Sequence, residues 1–126
     1  MGTEILVDHL YDEGKKLIES LDDAGLKCPI ALLAHFPDES DWEVLLGIPG
    51  IDLNGKRKIL LQIFNIIQNK KIDLDSNNLR VVDTKSEVCQ DIKSRMKTGM
   101  AIGKIPFINK YINSRPFPDS IIYRVN

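Results

Sequence analysis

The sequence predicts an α+β domain in which three helices pack on a mixed five-stranded sheet, in the order α-β-β-α-β-α-β-β. Two observations favour this class: five short apolar segments have the length of strands, and three longer segments carry apolar residues at helical spacing. Hairpins supply antiparallel pairs, whereas strands joined through a helix can be parallel, so the sheet should be mixed. We expect one domain over residues 1–126 and favour a two-layer sandwich.

The first helix is predicted over residues 4–24, where leucines recur at positions 6, 10, 17 and 21 on one face. Gly14 falls inside this helix and weakens it, because glycine lowers helix propensity. Gly25 follows the last apolar position and is typical of a left-handed helix end.

The centre of the predicted sheet is a hairpin formed by residues 30–36 and 42–48, which flank a short connector containing Pro37. Pairing Phe36 with Trp42 gives one bulky face, which must be buried, and places His35 opposite Glu43. The residues of that face are Ile30, Leu32, Ala34, Phe36, Trp42, Val44, Leu46 and Ile48.

The second helix is predicted over residues 56–69, with Asn54 as its N-cap, and a short strand over residues 79–83. Thr84 and Glu87 have the spacing of a capping box, which predicts that the third helix begins at Thr84 and ends at Gly99. The last strands are predicted over residues 105–113 and 120–125. Pro106 indicates a sheet edge or a bulge, and residues 114–119 hold too much proline for a tight turn.

Charge is divided unevenly along a chain whose net charge is −1. Residues 1–54 contain twelve acidic and three basic residues, whereas residues 55–126 contain six and fourteen. Such a division can indicate a surface for nucleic acid or an acidic partner. We favour the alternative that both halves fold together and the charges intermix.

The two cysteines, Cys28 and Cys89, lack metal-ligand or CxxC spacing, which favours a reducing cytosol over a disulfide scaffold. The first residues lack the basic and apolar regions of a signal peptide, and Gly2 lacks the downstream serine or threonine of a myristoylation signal. No uncharged apolar run reaches the roughly 20 residues of a membrane helix. We therefore expect a cytoplasmic protein without a membrane partner.

Catalytic motifs are lacking, and we expect neither a cofactor nor a metal. The weak catalytic candidates are His35 and Glu43, because a carboxylate beside a histidine raises its pKa and makes it a better base. A glycine-rich segment, residues 98–104 with Gly99 and Gly103, lacks the spacing of a phosphate-binding loop. It remains a candidate ligand-facing loop.

A basic and aromatic surface is the alternative basis for function. Candidate nucleic-acid or anion contacts are Arg80, Lys104, Lys110, Arg115 and Arg124. Basic side chains neutralise phosphates, and aromatic rings can stack on unpaired bases. Strand alternation separates the neighbouring aromatics from the cations, however, so core packing is the favoured role of Phe107, Tyr111, Phe117 and Tyr123.

Residues 112–124, and more loosely residues 17–25 and 42–49, resemble segments of small bacterial proteins of uncharacterised function. This resemblance implies a conserved domain of this size, and it carries no catalytic motif and adds nothing about mechanism. Our first hypothesis, from the lack of a site motif, the apolar hairpin and the uneven charge, is a non-catalytic cytosolic interaction module, acting as a homo-oligomer or as a subunit of a larger bacterial complex. The alternatives are a nucleic-acid-binding protein that uses residues 80–124 and a small enzyme that uses His35 and Glu43.

Overall fold

The computed structural model of the protein describes residues 3–51 and 55–126, with side chains from Leu6 onward. The expectations about Gly2 and about Asn54 as an N-cap lie outside these residues. The helices are α1 (Thr3–Asp23), α2 (Lys56–Asn69) and α3 (Glu87–Arg95). The strands are β1 (Ile30–His35), β2 (Glu43–Ile48), β3 (Leu79–Asp83), β4 (Ile105–Phe107), β5 (Tyr111–Ile112), β6 (Arg115–Pro116) and β7 (Asp119–Val125).

The main sheet has five strands in the order β3-β2-β1-β7-β4. β2 and β3 are parallel because α2 connects them, and the other neighbouring strands are antiparallel. β5 and β6 form a separate antiparallel ribbon. The predicted α+β class, with a mixed five-stranded sheet, is confirmed.

Both faces of the sheet are covered. Apolar residues of α1 and α2 pack on one face of the sheet. The sheet residues buried there include Ala31, Leu33, Val44 and Leu46. α3 and the β5–β6 ribbon cover the other face, where Cys89, Ile92, Ile112 and Phe117 are buried. Helices therefore lie on both faces of the sheet, which is a three-layer arrangement and differs from the two-layer sandwich that the sequence favoured.

The predicted register of the central hairpin is wrong by one residue. Ala34, and not His35, lies opposite Glu43, and Leu33 lies opposite Val44. Successive side chains of a strand alternate between the two faces of the sheet. The one-residue shift therefore places every β2 side chain on the face opposite to the predicted one, relative to β1. Nearly every residue of both strands is buried, so the apolar pattern alone does not specify the register.

Two glycines explain how α1 fits the core. A Cβ on Gly14 would lie 2.2 Å from the Tyr123 hydroxyl oxygen, so the absence of a side chain allows β7 to approach the helix. Gly25 adopts φ of +75°, as predicted, and the amide of Leu26 donates to the Leu21 carbonyl across the helix end. Gly14 thus weakens the helix locally and permits its packing.

The predicted boundaries of the third helix are both wrong. The side chain of Asp83 accepts from the Lys85 amide, which holds Thr84 in a turn, and Ser86 becomes the N-cap without a side-chain capping bond. The helix ends at Arg95 because the chain then becomes extended, and the Thr98 amide donates to the Val125 carbonyl.

The predicted strand over residues 105–113 is divided into β4 and β5, with Asn109 at φ of +55° between them. A tight turn at Asn113 and Ser114, with φ of +54° and +63°, joins β5 to β6. Residues 114–119 therefore contain strand β6, and the tight turn lies directly before that strand. Pro106 lies in the edge strand β4, as predicted.

Candidate functional site

The structure separates the predicted catalytic pair. His35 follows Ala34, the residue opposite Glu43, so the His35 and Glu43 side chains point to opposite faces of the sheet. The His35 ring stacks on Trp42 with centroids 5.4 Å apart. Glu43 accepts from Arg80 at 2.9 and 3.2 Å. The geometry on which the enzyme hypothesis depended is therefore not present.

Arg124, a predicted anion contact, is 1% exposed. Its guanidinium donates twice to the Asp22 carboxylate, both at 2.8 Å. It also donates to the Cys28 carbonyl through two nitrogens and to the Met100 carbonyl. These hydrogen bonds occupy all five guanidinium donors, so Arg124 joins α1, β7 and two loops and has no donor left for a ligand.

The ion pair also changes the acid strength of its carboxylate. Hydrogen bonding to the Arg124 guanidinium lowers the pKa of Asp22, and this effect exceeds the opposing effect of partial burial. The pairing depends on an irregularity in the sheet. Ala31 lies opposite Arg124 and Leu32 opposite Ile122, so Tyr123 is the extra residue of a β-bulge. Consecutive residues Tyr123 and Arg124 thereby both reach α1.

Three further predicted anion contacts are paired with acidic side chains. The guanidinium of Arg115 lies 2.7 Å from Glu87 and 3.4 Å from Asp91. Arg80 is held by Glu43, and its guanidinium carbon lies 4.1 Å from the centre of the Phe36 ring.

Lys104 lies 3.8 Å from Asp8 and 4.7 Å from the centre of the Tyr11 ring. Lys110 is exposed and lines a cleft beside Tyr111 and His35. The two halves of the sequence therefore intermix their charges, which is the interpretation that the composition favoured.

The aromatic residues of this region mostly serve the core. Phe107 and Phe117 are buried and pack edge to face at 5.5 Å between ring centres. Tyr123 is buried and donates to the Tyr11 carbonyl. Tyr111, in contrast, is 63% exposed.

The glycine-rich segment, residues 98–104, is fastened along β7. The amides of Thr98 and Gly103 donate to the carbonyls of Val125 and Tyr123, each at 2.7 Å. The Tyr11 hydroxyl donates to the Gly103 carbonyl at 2.6 Å. Gly99 adopts φ of +81°, a left-handed conformation that favours glycine. The segment uses its hydrogen bonds to cover the edge of β7, and its Gly103 amide is occupied.

Two small clefts flank residues 116–118. One, of about 160 Å³, lies between α3 and β6 and is lined by Arg115 and by its ion-pair partners Glu87 and Asp91. The other, of about 280 Å³, brings His35 and Lys110 together near Asp119, whose carboxylate accepts from the Asn109 amide.

A larger cleft, which we call the β3 cleft, has a volume of about 470 Å³. Leu60 and Phe64 of α2 lie on one side and Leu79, Arg80, Val81 and Val82 of β3 on the other, and the lining also includes Ser76 and Glu43, which is paired with Arg80. β3 is an outer strand of the sheet, and no strand of the described chain pairs with its far side. The backbone of β3 on that side, which we call the β3 edge, therefore lies beside an apolar wall.

The helix that borders this cleft is basic and partly apolar at its surface. Lys56, Arg57 and Lys58 are exposed in its first turn, which contains no acidic residue. Lys56 also lines the β3 cleft. Leu61 is 57% exposed. The sequence predicted α2 correctly, but only the sheet order shows that this helix borders an open edge.

The opposite edge of the sheet is protected. β4 is short, and Pro106 within it has no amide hydrogen to donate. Residues 98–104 cover the part of β7 that β4 does not reach. Open edges attract other strands, and short proline-containing strands prevent this. The sheet therefore offers one unprotected edge within the described residues.

Chemistry for a metal or a reactive thiol is not assembled. Within residues 3–51 and 55–126, no cluster of three or more His, Cys, Asp or Glu side chains could hold a metal ion. His9 Nε2 instead lies 2.7 Å from Asp73. Burial raises the pKa of the Cys28 thiol to about 12 and also raises that of Cys89. A thiolate nucleophile is thus disfavoured at both positions.

Comparisons with protein-family models, with curated proteins and with solved structures gave no significant match. The resemblance to small bacterial proteins stays a prediction. Among the helices described, none has the length and apolar character needed to cross a membrane.

Proposed function

We propose that the protein is a non-catalytic cytoplasmic interaction module that binds an extended segment of another polypeptide at the β3 edge. The observation that carries this proposal is the open strand beside the apolar wall of α2. The predicted enzyme lacks its His35–Glu43 geometry, and the predicted nucleic-acid surface has most of its cations paired with acids.

Strand addition fits the physical properties of this edge. Backbone amides and carbonyls on the far side of an outer strand can form a ladder with an incoming chain. Each hydrogen bond contributes about 0.5–1.5 kcal/mol, so the five residues of β3 supply only part of the affinity. Leu60 and Phe64 in the β3 cleft supply apolar contacts for alternate side chains of the added segment.

The cytoplasmic location rests on the cysteines. Cys28 and Cys89 are free and buried. Buried unpaired thiols are typical of proteins from reducing compartments.

The test is a selection from a random peptide library displayed on phage, with the purified protein as bait. We expect enriched peptides to perturb the backbone amide resonances of residues 79–82 and to slow their hydrogen exchange. Selection of no peptide, or of peptides that perturb only the clefts beside residues 116–118, overturns the proposal.

An oligonucleotide titration tests the nucleic-acid alternative. We expect no binding of single-stranded or duplex oligonucleotides at physiological salt. Binding that weakens steeply with salt would favour nucleic acid instead, because the slope of log affinity against log salt reports the number of phosphate contacts.

A further inference from the structure

We infer that the segment received at the β3 edge is an acidic strand of a protein partner, with carboxylates near the first turn of α2. This inference rests on the proposed function and specifies the chemistry of the occupant. It follows from the charge of the helix that forms one wall of the β3 cleft.

α2 and the two residues after it form the most uniformly charged stretch of the chain. Residues 56–71 contain five basic residues and no acidic residue. No ion pair to Lys56, Arg57 or Lys58 is present among the described residues, whereas Arg80, Lys104, Arg115 and Arg124 all have acidic partners. The positive charge of α2 is therefore not neutralised within the described part of the chain.

The position of these cations at the N-terminus of α2 adds to the positive charge there. The N-terminus of a helix carries a partial positive charge, so basic side chains in the first turn are unfavourable by about 0.3–1 kcal/mol each. Lys56, Arg57 and Lys58 all lie there without an acidic residue in the same turn. A partner carboxylate beside Lys56 would interact favourably with the side chain and with the helix terminus.

The same charges disfavour a second copy of this chain as the occupant. Pairing two β3 edges around a two-fold axis would place two α2 helices on the same side of the joined sheet. Each carries the five basic residues of positions 56–71, for which the described part of the chain shows no ion pair, so the helices would repel each other.

Nucleic acid fits this site less well than a polypeptide does. Lys56 borders apolar side chains, Leu60 and Phe64, and an unpaired strand. A phosphate backbone uses the cation alone, whereas an acidic strand uses the cation, the apolar wall and the backbone hydrogen bonds.

The experiment compares two synthetic peptides of about ten residues, one alternating valine with glutamate and one alternating valine with lysine. Binding is measured by fluorescence anisotropy, and the site is mapped by amide shifts at residues 79–82. Lys56→Glu is the test variant. Lys97→Glu is the matched control, because Lys97 is also exposed but lies away from β3. It directly precedes Thr98, whose amide donates to the Val125 carbonyl of β7, near the opposite edge of the sheet.

We expect the acidic peptide to bind at residues 79–82 and the basic peptide not to bind there. Lys56→Glu should weaken the acidic peptide about fivefold to tenfold, as expected for reversing one exposed charge pair, and Lys97→Glu by less than about twofold. Added salt should weaken binding to the wild-type protein more than binding to Lys56→Glu.

Several results would overturn the inference. Equal or tighter binding of the basic peptide at residues 79–82 would refute the acidic occupant and leave strand addition intact. Binding of neither peptide would refute the acidic occupant, and the library selection would then decide separately whether the edge binds any strand.

Two further measurements distinguish the other occupants. Concentration-dependent dimerisation in analytical ultracentrifugation, with protected β3 amides, would make a second copy the occupant. Displacement of the acidic peptide by a duplex oligonucleotide at equal charge concentration would make nucleic acid the occupant.

Discussion

Replacing Asp22 with asparagine tests whether Arg124 is an internal structural group or a surface anion contact. The substitution keeps the size of the side chain and removes its charge. Arg124 is 1% exposed, so the guanidinium would remain buried without a counter-charge. One of its two donors to Asp22 would also face an amide group that cannot accept.

The expected cost can be bounded from the structure. Removing one partner of a buried ion pair typically costs about 3–5 kcal/mol. The Asp22 side chain is 38% exposed, so water reaches this side of the pair and the cost should be lower, about 2–3 kcal/mol. At roughly 4 °C per kcal/mol for a chain of this length, the melting temperature should fall by about 10 °C.

The assay is urea unfolding at pH 7, followed by circular dichroism, with Asp23→Asn as the matched control. Asp23 is the neighbouring exposed carboxylate and forms no ion pair within the described chain, so its substitution should change stability by less than about 0.5 kcal/mol. Equal stability of the Asp22 and Asp23 variants would refute the buried pairing of Arg124.

The pH dependence of the free energy of unfolding is a second test of the Asp22–Arg124 pair. Because the pKa of Asp22 is lowered in the folded state, its stabilisation is complete above its unfolded pKa of about 3.9. The stabilisation is lost as the pH falls through the lower folded pKa. The stability difference between wild type and Asp22→Asn should therefore be constant from pH 7 to about pH 5 and should shrink below about pH 4. A difference that persists unchanged at the lowest pH would contradict the assigned charge interaction.

Three further predictions concern packing, turn geometry and thiol reactivity. Gly14→Ala should destabilise the protein by about 1–2 kcal/mol in urea unfolding, because a Cβ 2.2 Å from the Tyr123 hydroxyl outweighs a gain of about 1 kcal/mol in helix propensity; stabilisation would contradict the close approach of β7. Ser114→Gly should stabilise the protein by about 0.5 kcal/mol in the same assay, because Ser114 has φ of +63° in the turn between β5 and β6; a loss of stability would argue against this turn. Neither Cys28 nor Cys89 should react with a disulfide reagent until the protein unfolds, since both are buried with raised pKa values; labelling at the rate of an exposed thiol would refute this.

The sequence predicted the elements better than their register. The limits of β3 and α2 were predicted correctly, because turn-forming or polar residues bound each apolar segment. β1 and β2 are apolar on both faces, so either register buries the same kind of residue, and only the three-dimensional packing distinguishes them. The His35–Glu43 pairing failed with that register.

The site was harder to predict because it depends on strand order. Arg124 alternates with apolar residues as an exposed strand residue would, and only the bulge at Tyr123 and the distant Asp22 explain its burial. The β3 edge is open because the last strand, β7, pairs with β1 and not with β3. The one signal available in the sequence was the lack of acidic residues in positions 56–71.

The hydrogen bonds between the glycine-rich segment, residues 98–104, and β7 bear on how many partner strands one chain can bind. A sheet with two open edges can join neighbours on both sides and grow without limit, as fibres do. Here the amides of Thr98 and Gly103 occupy two carbonyls of β7, and Pro106 in the short outer strand β4 has no amide hydrogen to donate, so further pairing is disfavoured on that side. If the proposed strand addition at the β3 edge is right, the chain would add one strand and then stop, so it would end its partner's sheet and would not link copies into a polymer.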